Sequence, residues 1–275
     1  MLEITGARSA REIAEGHQSR VFALLLDDGQ RIAAKVIDSS LVDAAAVLAR
    51  VDAVAELSDL DASVCRPIRF GGSLVNAIAD DAGAPALLVC FEFADGVGLD
   101  VASPSDAELM GTTLARLHYS LQRLPQRSIP AVAALRVVQS HVNEEFQLLH
   151  GDFNSGNLRR TGSTVRVFDF EDCGYGPRSF EIANSLYMVL FDSAIEGEPD
   201  RYGAFEDAFL GGYEDGVGHP IDRFAVDHFV DLRVLALKRW LDDLATAPIG
   251  IRTASPQWRH KLSRFVNTYQ PRGRE

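Results

Sequence analysis

The amino-acid sequence predicts an α+β fold in two lobes, a β-rich first lobe with one helix and a mainly helical second lobe. Three observations carry that expectation. Short apolar runs bounded by turn residues fill the first ninety-odd positions. Ala94-Asp95-Gly96 breaks the last of these runs. Past residue 100, apolar residues recur at helical spacing. These signals divide the chain into lobes of 1–93 and 94–275.

The elements follow in order. Val21 to Leu26 reads as a strand, Asp27-Asp28-Gly29 as a tight turn, and Arg31 to Ile37 as the return strand. Ser40-x-x-Asp43 resembles a capping box and predicts a helix whose buried stripe is Leu41, Ala45, Leu48 and Val51. Leu87 to Phe93 is a further strand. Ser103-Pro104-Ser105-Asp106 then combines an N-cap serine, a proline at the first helical position and an early acid. Met110, Leu114, Leu117 and Leu121 form the apolar stripe of that helix. Leu148 to Phe170 reads as a hairpin-like stretch split by Arg160-Thr161-Gly162-Ser163. From Pro177 onward the pattern is helical, most clearly over Asp227 to Leu244.

Composition narrows the functional classes. A chain of 275 residues that is 47% hydrophobic can bury a substantial core in one large or two modest domains. Apolar runs such as Ala84 to Cys90 fall far short of a bilayer span, and Met1 to Glu15 is too charged for a signal-peptide core. The expectation is a cytoplasmic protein with no membrane partner. Cys65, Cys90 and Cys173 stand far apart with no CxxC pair, which predicts reduced thiols rather than a disulfide framework or a zinc site. The net charge of −12 disfavours nucleic acid as a partner, because phosphate backbones bind Lys and Arg. It is compatible with a cationic substrate.

The informative stretch is Leu148-Leu149-His150-Gly151-Asp152-Phe153-Asn154-Ser155-Gly156-Asn157-Leu158. Twelve residues past Asn157, the strand Val165 to Phe168 ends on Asp169, followed by Phe170 and Glu171. Phosphoryl transfer needs these residue types. A divalent cation must offset the triphosphate charge, and Mg²⁺ takes hard oxygen ligands, which Asp169 and Asn157 supply. A hydroxyl nucleophile needs an acceptor for its proton, which Asp152 supplies from the same loop as Asn157. The rest is positioning and charge stabilisation.

The order His150-Gly-Asp-x-x-x-x-Asn157 and then Asp169-Phe-Glu171 resembles the aminoglycoside phosphotransferase and choline kinase superfamily, which has a protein-kinase-like fold. Leu114-Ala115-Arg116-Leu117-His118 is similar to the helix preceding that family's catalytic loop, and Cys173-Gly174-Tyr175-Gly176-Pro177 to Ala183 to the segment after its metal-binding carboxylate. The resemblance implies an ATP- and Mg²⁺-dependent small-molecule kinase acting on a hydroxyl acceptor: an aminoglycoside-like antibiotic, an amino sugar, homoserine or an amino alcohol. It implies Asp152 as catalytic base, Asn157 and Asp169 as metal ligands, and His150 as a buttress of the loop. Glu181, where the family commonly has Asp, would help fix that loop or serve the first turn of a helix. Lys35, set in the apolar run Ile32 to Ile37, would hold the α- and β-phosphates, with Asp52 or else Glu56 as its helix partner. Gly16 to Val21 would cover the phosphates through backbone N–H groups and Ser19. Backbone groups of Glu92 and Ala94 would meet adenine. A non-catalytic nucleotide-binding scaffold of the same fold is the competing expectation. The absence of an Ala-Pro-Glu sequence disfavours a protein substrate.

Overall fold

The computed structural model describes residues 1–275 except 16–18, 81, 138–143 and 273–275. Contacts divide the chain into two compact units. The first comprises 1–98, 123–130 and 157–171; the second comprises 99–122, 131–156 and 172–275. The division therefore falls five residues past the expected one, and the segments 123–130 and 157–171 go with the first unit.

The first unit is built on an antiparallel sheet. After a short helix α1 (Leu2–Thr5), strands β1 (Ala7–Glu15), β2 (Ser19–Leu26) and β3 (Arg31–Asp38) form a meander. Helix α2 (Ala44–Leu60) follows, then β4 (Pro67–Ile68), β5 (Val75–Ala79) and β6 (Pro85–Glu92). The strand order is β1-β2-β3-β6-β4, with β5 also paired to β6. Gly29 takes φ +86 in the β2–β3 turn, where a β-carbon would be strained. Alternate residues of β3 point to one face, so Ile32 and Ala34 join Leu24, Leu88 and Cys90 in one core cluster.

Helix α2 departs from the sequence expectation. Its N-cap is Asp43, whose side chain accepts the Ala45 N–H, whereas the Ser40 hydroxyl bonds Asp38. Such a cap is worth about 1 kcal/mol. The later start shifts the buried face to Val47, Val51, Val54 and Leu57. Leu41 precedes the helix, and both Leu41 and Leu48 are exposed.

The hairpin of β8 (Leu158–Thr161) and β9 (Thr164–Val167) also belongs to the first unit. Backbone bonds hold it there: Cys65 N–H to Val167 O at 2.9 Å, Val97 N–H to Arg160 O at 3.0 Å and Arg160 N–H to Val97 O at 2.8 Å. The expected hairpin over Leu148 to Phe170 thus shrinks to its second half.

The second unit is mainly helical. It contains α3 (Pro104–Gln122), α4 (Arg178–Glu196), α5 (Pro199–Val217), α6 (Arg223–Asp242), α7 (Ile249–Arg252) and α8 (Pro256–Thr268). The expected stripe of α3 is buried. Met110, Leu114 and Leu117 have 1% of their surface exposed or less, so each contributes about 1.5–3 kcal/mol of apolar transfer. Helices α3 and α5 approach closely because Gly111 has no side chain; a β-carbon there would sit 2.0 Å from Phe209 O. Strand β7 (Gln147–Leu149) pairs antiparallel with β10 (Gly174–Gly176), not with the residues before Asp169. Tyr187, Val234, Leu237, Leu262 and Phe265 form a core between α4, α6 and α8. Among the described residues, no helix is long and apolar enough to cross a membrane.

Candidate active site

In the second unit, β7 delivers His150, Gly151 and Asp152 onto one loop. Gly151 has φ +91, and a β-carbon there would lie 2.1 Å from Asp172 O, so only glycine fits. Helix α4 holds this loop from beneath. The Glu181 carboxylate accepts the N–H of Gly151 at 2.5 Å and of His150 at 3.1 Å. One turn on, the Ser185 hydroxyl donates to Phe153 O at 2.7 Å. Residues four apart share a helix face, so α4 grips the loop at two successive turns.

Glu181 is itself gripped. His118 Nε2 lies 2.9 Å from its Oε2, and His118 Nδ1 lies 2.8 Å from the Tyr213 hydroxyl. A carboxylate only accepts, so Nε2 carries a proton and donates to Glu181. Glu181 and His118 are each 1% exposed. Burial pushes the Glu181 carboxyl up, but the His118 bond, the neighbouring imidazoles and the Gly151 N–H outweigh it and hold the carboxylate below its usual range. The loop is thus fixed by a buried chain running Tyr213, His118, Glu181, backbone.

His150 is fully buried, and its Nδ1 accepts the Asp152 N–H at 3.3 Å. Asn154 continues the pattern, donating to Asp152 O at 3.1 Å and accepting the Gly156 N–H at 2.8 Å. Gly156, unlike Gly151, does not take a positive φ.

The first unit gathers a second set. Lys35 Nζ lies 2.8 Å from Asp169 Oδ1 and 2.6 Å from Glu171 Oε2, bringing together residues 134 and 136 positions apart. Burial disfavours the Lys35 charge, but the two carboxylates outweigh it and raise the ammonium above its ordinary range. Asp169 has φ +66 and is the one non-glycine residue with positive φ among those described. Such a backbone costs about 1–2 kcal/mol and is tolerated best by Asn and Asp. Asn157 is tied to the same turn through its carbonyl, which accepts the Phe168 N–H at 3.2 Å.

The expected helix partner of Lys35 is corrected. Asp52 and Glu56 lie four apart and share a face of α2. That face borders an open cavity of about 490 Å³ with Arg66, Arg69 and Arg127, and Glu56 forms an ion pair with Arg127. The acids that meet Lys35 come instead from the segment after β9.

The remaining candidates lie apart from these contacts. Ser19 opens β2 and is buried; the loop before it, 16–18, lies outside the described residues. Glu92 ends β6, and its N–H donates to Arg66 O at 2.9 Å. Its side chain pairs with Arg166, so neither group is available to a base. Ala94 sits in the irregular segment after β6, partly buried.

Sequence reasoning missed Tyr213 and Ser185, and it did not assign a contact to His118. The signal for His118 was its place on the apolar stripe between Leu114 and Leu121, where a buried imidazole needs partners.

Residues 121–219 match the model of the phosphotransferase enzyme family. A curated relative, an uncharacterized protein of Synechocystis sp., is 28% identical over 196 residues, 57% of this chain and 52% of the relative. The chain thus spans about half the length of the curated relative it matches. Among solved structures, an amicoumacin kinase in complex with AMP-PNP, Ca²⁺ and Ami is similar at TM-score 0.72 and 21% identity, covering 94% of this chain and 86% of that one. A microcompartment-associated aminopropanol kinase gives TM-score 0.71 at 20% identity, covering 94% and 89%. The ethanolamine kinase of Plasmodium vivax gives 0.56 at 13%, covering 94% and 81%. At these identities the likeness is one of fold. It bears out the α+β, protein-kinase-like reading, and the family match bears out the resemblance carried by the motifs.

Proposed function

We propose that this chain transfers the terminal phosphoryl group of ATP to the hydroxyl of a small molecule. The observation that carries the reading is the meeting of Lys35 with Asp169 and Glu171. A lysine flanked by two carboxylates offers both halves of a metal–polyphosphate site, a cation for phosphate oxygens and oxygens for a metal. The donor set fits a divalent cation in one further respect. Glu171 Oε1 is buried with no hydrogen-bond partner in the structure. A buried carboxylate oxygen left so is costly, and a cation satisfies it.

In this reading Asp169 and Asn157 hold Mg²⁺, Glu171 stands beside them, and Lys35 binds the α- and β-phosphates. No cluster of three His, Cys, Asp or Glu occurs among the described residues. Two hard side-chain ligands completed by phosphate oxygens and water suit Mg²⁺ well. The metal, when bound, offsets the polyphosphate charge. Asp152 accepts the hydrogen of the acceptor hydroxyl. The acceptor oxygen forms a bond to the terminal phosphorus as the bond to the bridging oxygen breaks, and ADP leaves. Ser19, Glu92 through its carbonyl, and Ala94 complete the nucleotide contacts, and the protein works in the cytoplasm.

The acceptor is an aminoglycoside-like antibiotic or amino sugar. The second reading, homoserine or an amino alcohol, is favoured by the likeness in fold to the aminopropanol kinase. ADP release from MgATP, measured against a panel of antibiotics, amino sugars, homoserine and amino alcohols, tests the proposal. Acceptor-dependent release with one class is expected. Nucleotide binding without release for any acceptor would favour the non-catalytic scaffold.

A further inference from the structure

Helix α6 carries an arginine that forms no ion pair or hydrogen bond with a described residue. Arg233 is partly buried, and its guanidinium carbon lies 5.0 Å from the centre of the Tyr187 ring on α4. Its Nε is shut off from solvent and has no hydrogen-bond partner, and no described carboxylate forms an ion pair with it. Three arginines of this unit differ: Arg223, Arg201 and Arg272 each form ion pairs with glutamates. Burial lowers the ease with which Arg233 keeps its proton, yet an arginine stays charged in proteins. The charge that reaches it from outside its own helix, besides the Tyr187 side chain, is that of Asp152.

Stacking on an aromatic face is a modest stabilisation. That does not offset the desolvation of an unpaired guanidinium, for which a charged group's lost partners cost more. A guanidinium fork held by stacking, with donors unspent, is the form in which proteins take up carboxylates and phosphates. Here it stands within electrostatic reach of the group assigned to the acceptor hydroxyl, on the same unit of the chain.

We infer that Arg233 is a binding residue for an anionic substituent of the acceptor, so that the substrate is an alcohol bearing a carboxylate or a phosphate rather than a purely cationic one. This inference rests on the phosphotransferase reading above but departs from its first acceptor class: an aminoglycoside carries no anion, whereas homoserine, in the second reading, does. It turns the acceptor away from the cationic class that the net charge of the chain allowed.

The test uses matched acceptors that differ only in the anion: L-homoserine against 3-amino-1-propanol, L-serine against ethanolamine, and glucosamine 6-phosphate against glucosamine. ADP release is followed with the wild type, Arg233→Met and Arg233→Lys. In the pair that is turned over, the wild type should favour the anionic member by about tenfold or more in kcat/KM. Arg233→Met should raise KM for that member and erase the preference, and Arg233→Lys should keep part of it. Equal losses for both members, falling on kcat, would mean that Arg233 serves the transferred phosphoryl group, and would overturn the inference. A wild-type preference for the amine without an anion would overturn it as well.

A second measurement does not require turnover. With ¹⁵N-labelled arginine, the Arg233 Nε–H signal, assigned by its loss in Arg233→Lys, is followed as L-homoserine, 3-amino-1-propanol and inorganic phosphate are added. A shift with homoserine or phosphate and none with aminopropanol upholds an anion site even if every acceptor fails and the phosphotransferase reading falls. No shift with either anion overturns it.

Discussion

Replacing Glu181 puts the rigidity of the Asp152 loop to a quantitative test. Glu181→Ala strands three buried donors at once: the N–H groups of His150 and Gly151, and Nε2–H of His118. Each unsatisfied donor costs about 1–3 kcal/mol, and removing one partner from a buried charged network costs about 3–5 kcal/mol in all. Against a typical folding stability of about 5–15 kcal/mol, that is a large share. Glu181→Gln keeps one oxygen that can accept but turns an NH₂ toward a donor, so a smaller loss of about 1–3 kcal/mol is expected. Urea unfolding gives both numbers from the shift of the midpoint at constant slope. The pH dependence supplies a sign. The folded-state carboxyl lies below its ordinary value of 4.5, so its stabilising effect is complete above about pH 4.5 and is lost as pH falls through the folded value. Wild-type stability should therefore fall below pH 4.5 more steeply than that of Glu181→Gln. An alanine variant within about 1 kcal/mol of wild type, or parallel acid profiles, would refute the reasoning.

Other outcomes follow from single contacts. Gly151→Ala places a β-carbon 2.1 Å from Asp172 O at a positive φ, and should cost about 2 kcal/mol or more in thermal unfolding. Lys35 lies above its ordinary value of 10.5 in the folded state, so its contribution is complete below that pH and is lost as pH rises through the folded value. Lys35→Met should flatten the loss of stability above pH 10.5, measured by chemical unfolding at a series of alkaline pH values. Asp169→Ala should weaken nucleotide binding in the presence of Mg²⁺ and leave metal-free binding nearly unchanged by calorimetry; an unchanged metal dependence would remove Asp169 from the metal site.

Much of the framework was legible because its signals are local. Pro104 and the stripe from Met110 to Leu121 declared α3, and Asp27-Asp28-Gly29 declared the β2–β3 turn. Helix α2 was misplaced by one turn because two nearby residues could cap it, and the choice was made by Asp38 taking the Ser40 hydroxyl. The three-residue strands β7 and β10 are too short for a period of two to show, so their pairing was hidden. The site divides in the same way. His150, Asp152, Asn157 and Asp169 stand in a short, ordered stretch of chain. Their supports do not: His118, Glu181 and Tyr213 meet across 63 and 95 residues, and only the fold brings them into one hydrogen-bonded row. The partner of Lys35 was misassigned because Asp52 and Glu56 look suitable by spacing alone. The arginines around α2 claim that helix face instead.

Nothing tests the account more directly than Asp152→Asn, followed by acceptor-dependent ADP release alongside MgATP affinity. A general base contributes about 10²–10⁴-fold, so turnover should fall by that factor while the Kd for MgATP stays within about threefold. Turnover kept within about tenfold of wild type, or nucleotide affinity lost in step with it, would contradict the role given to Asp152.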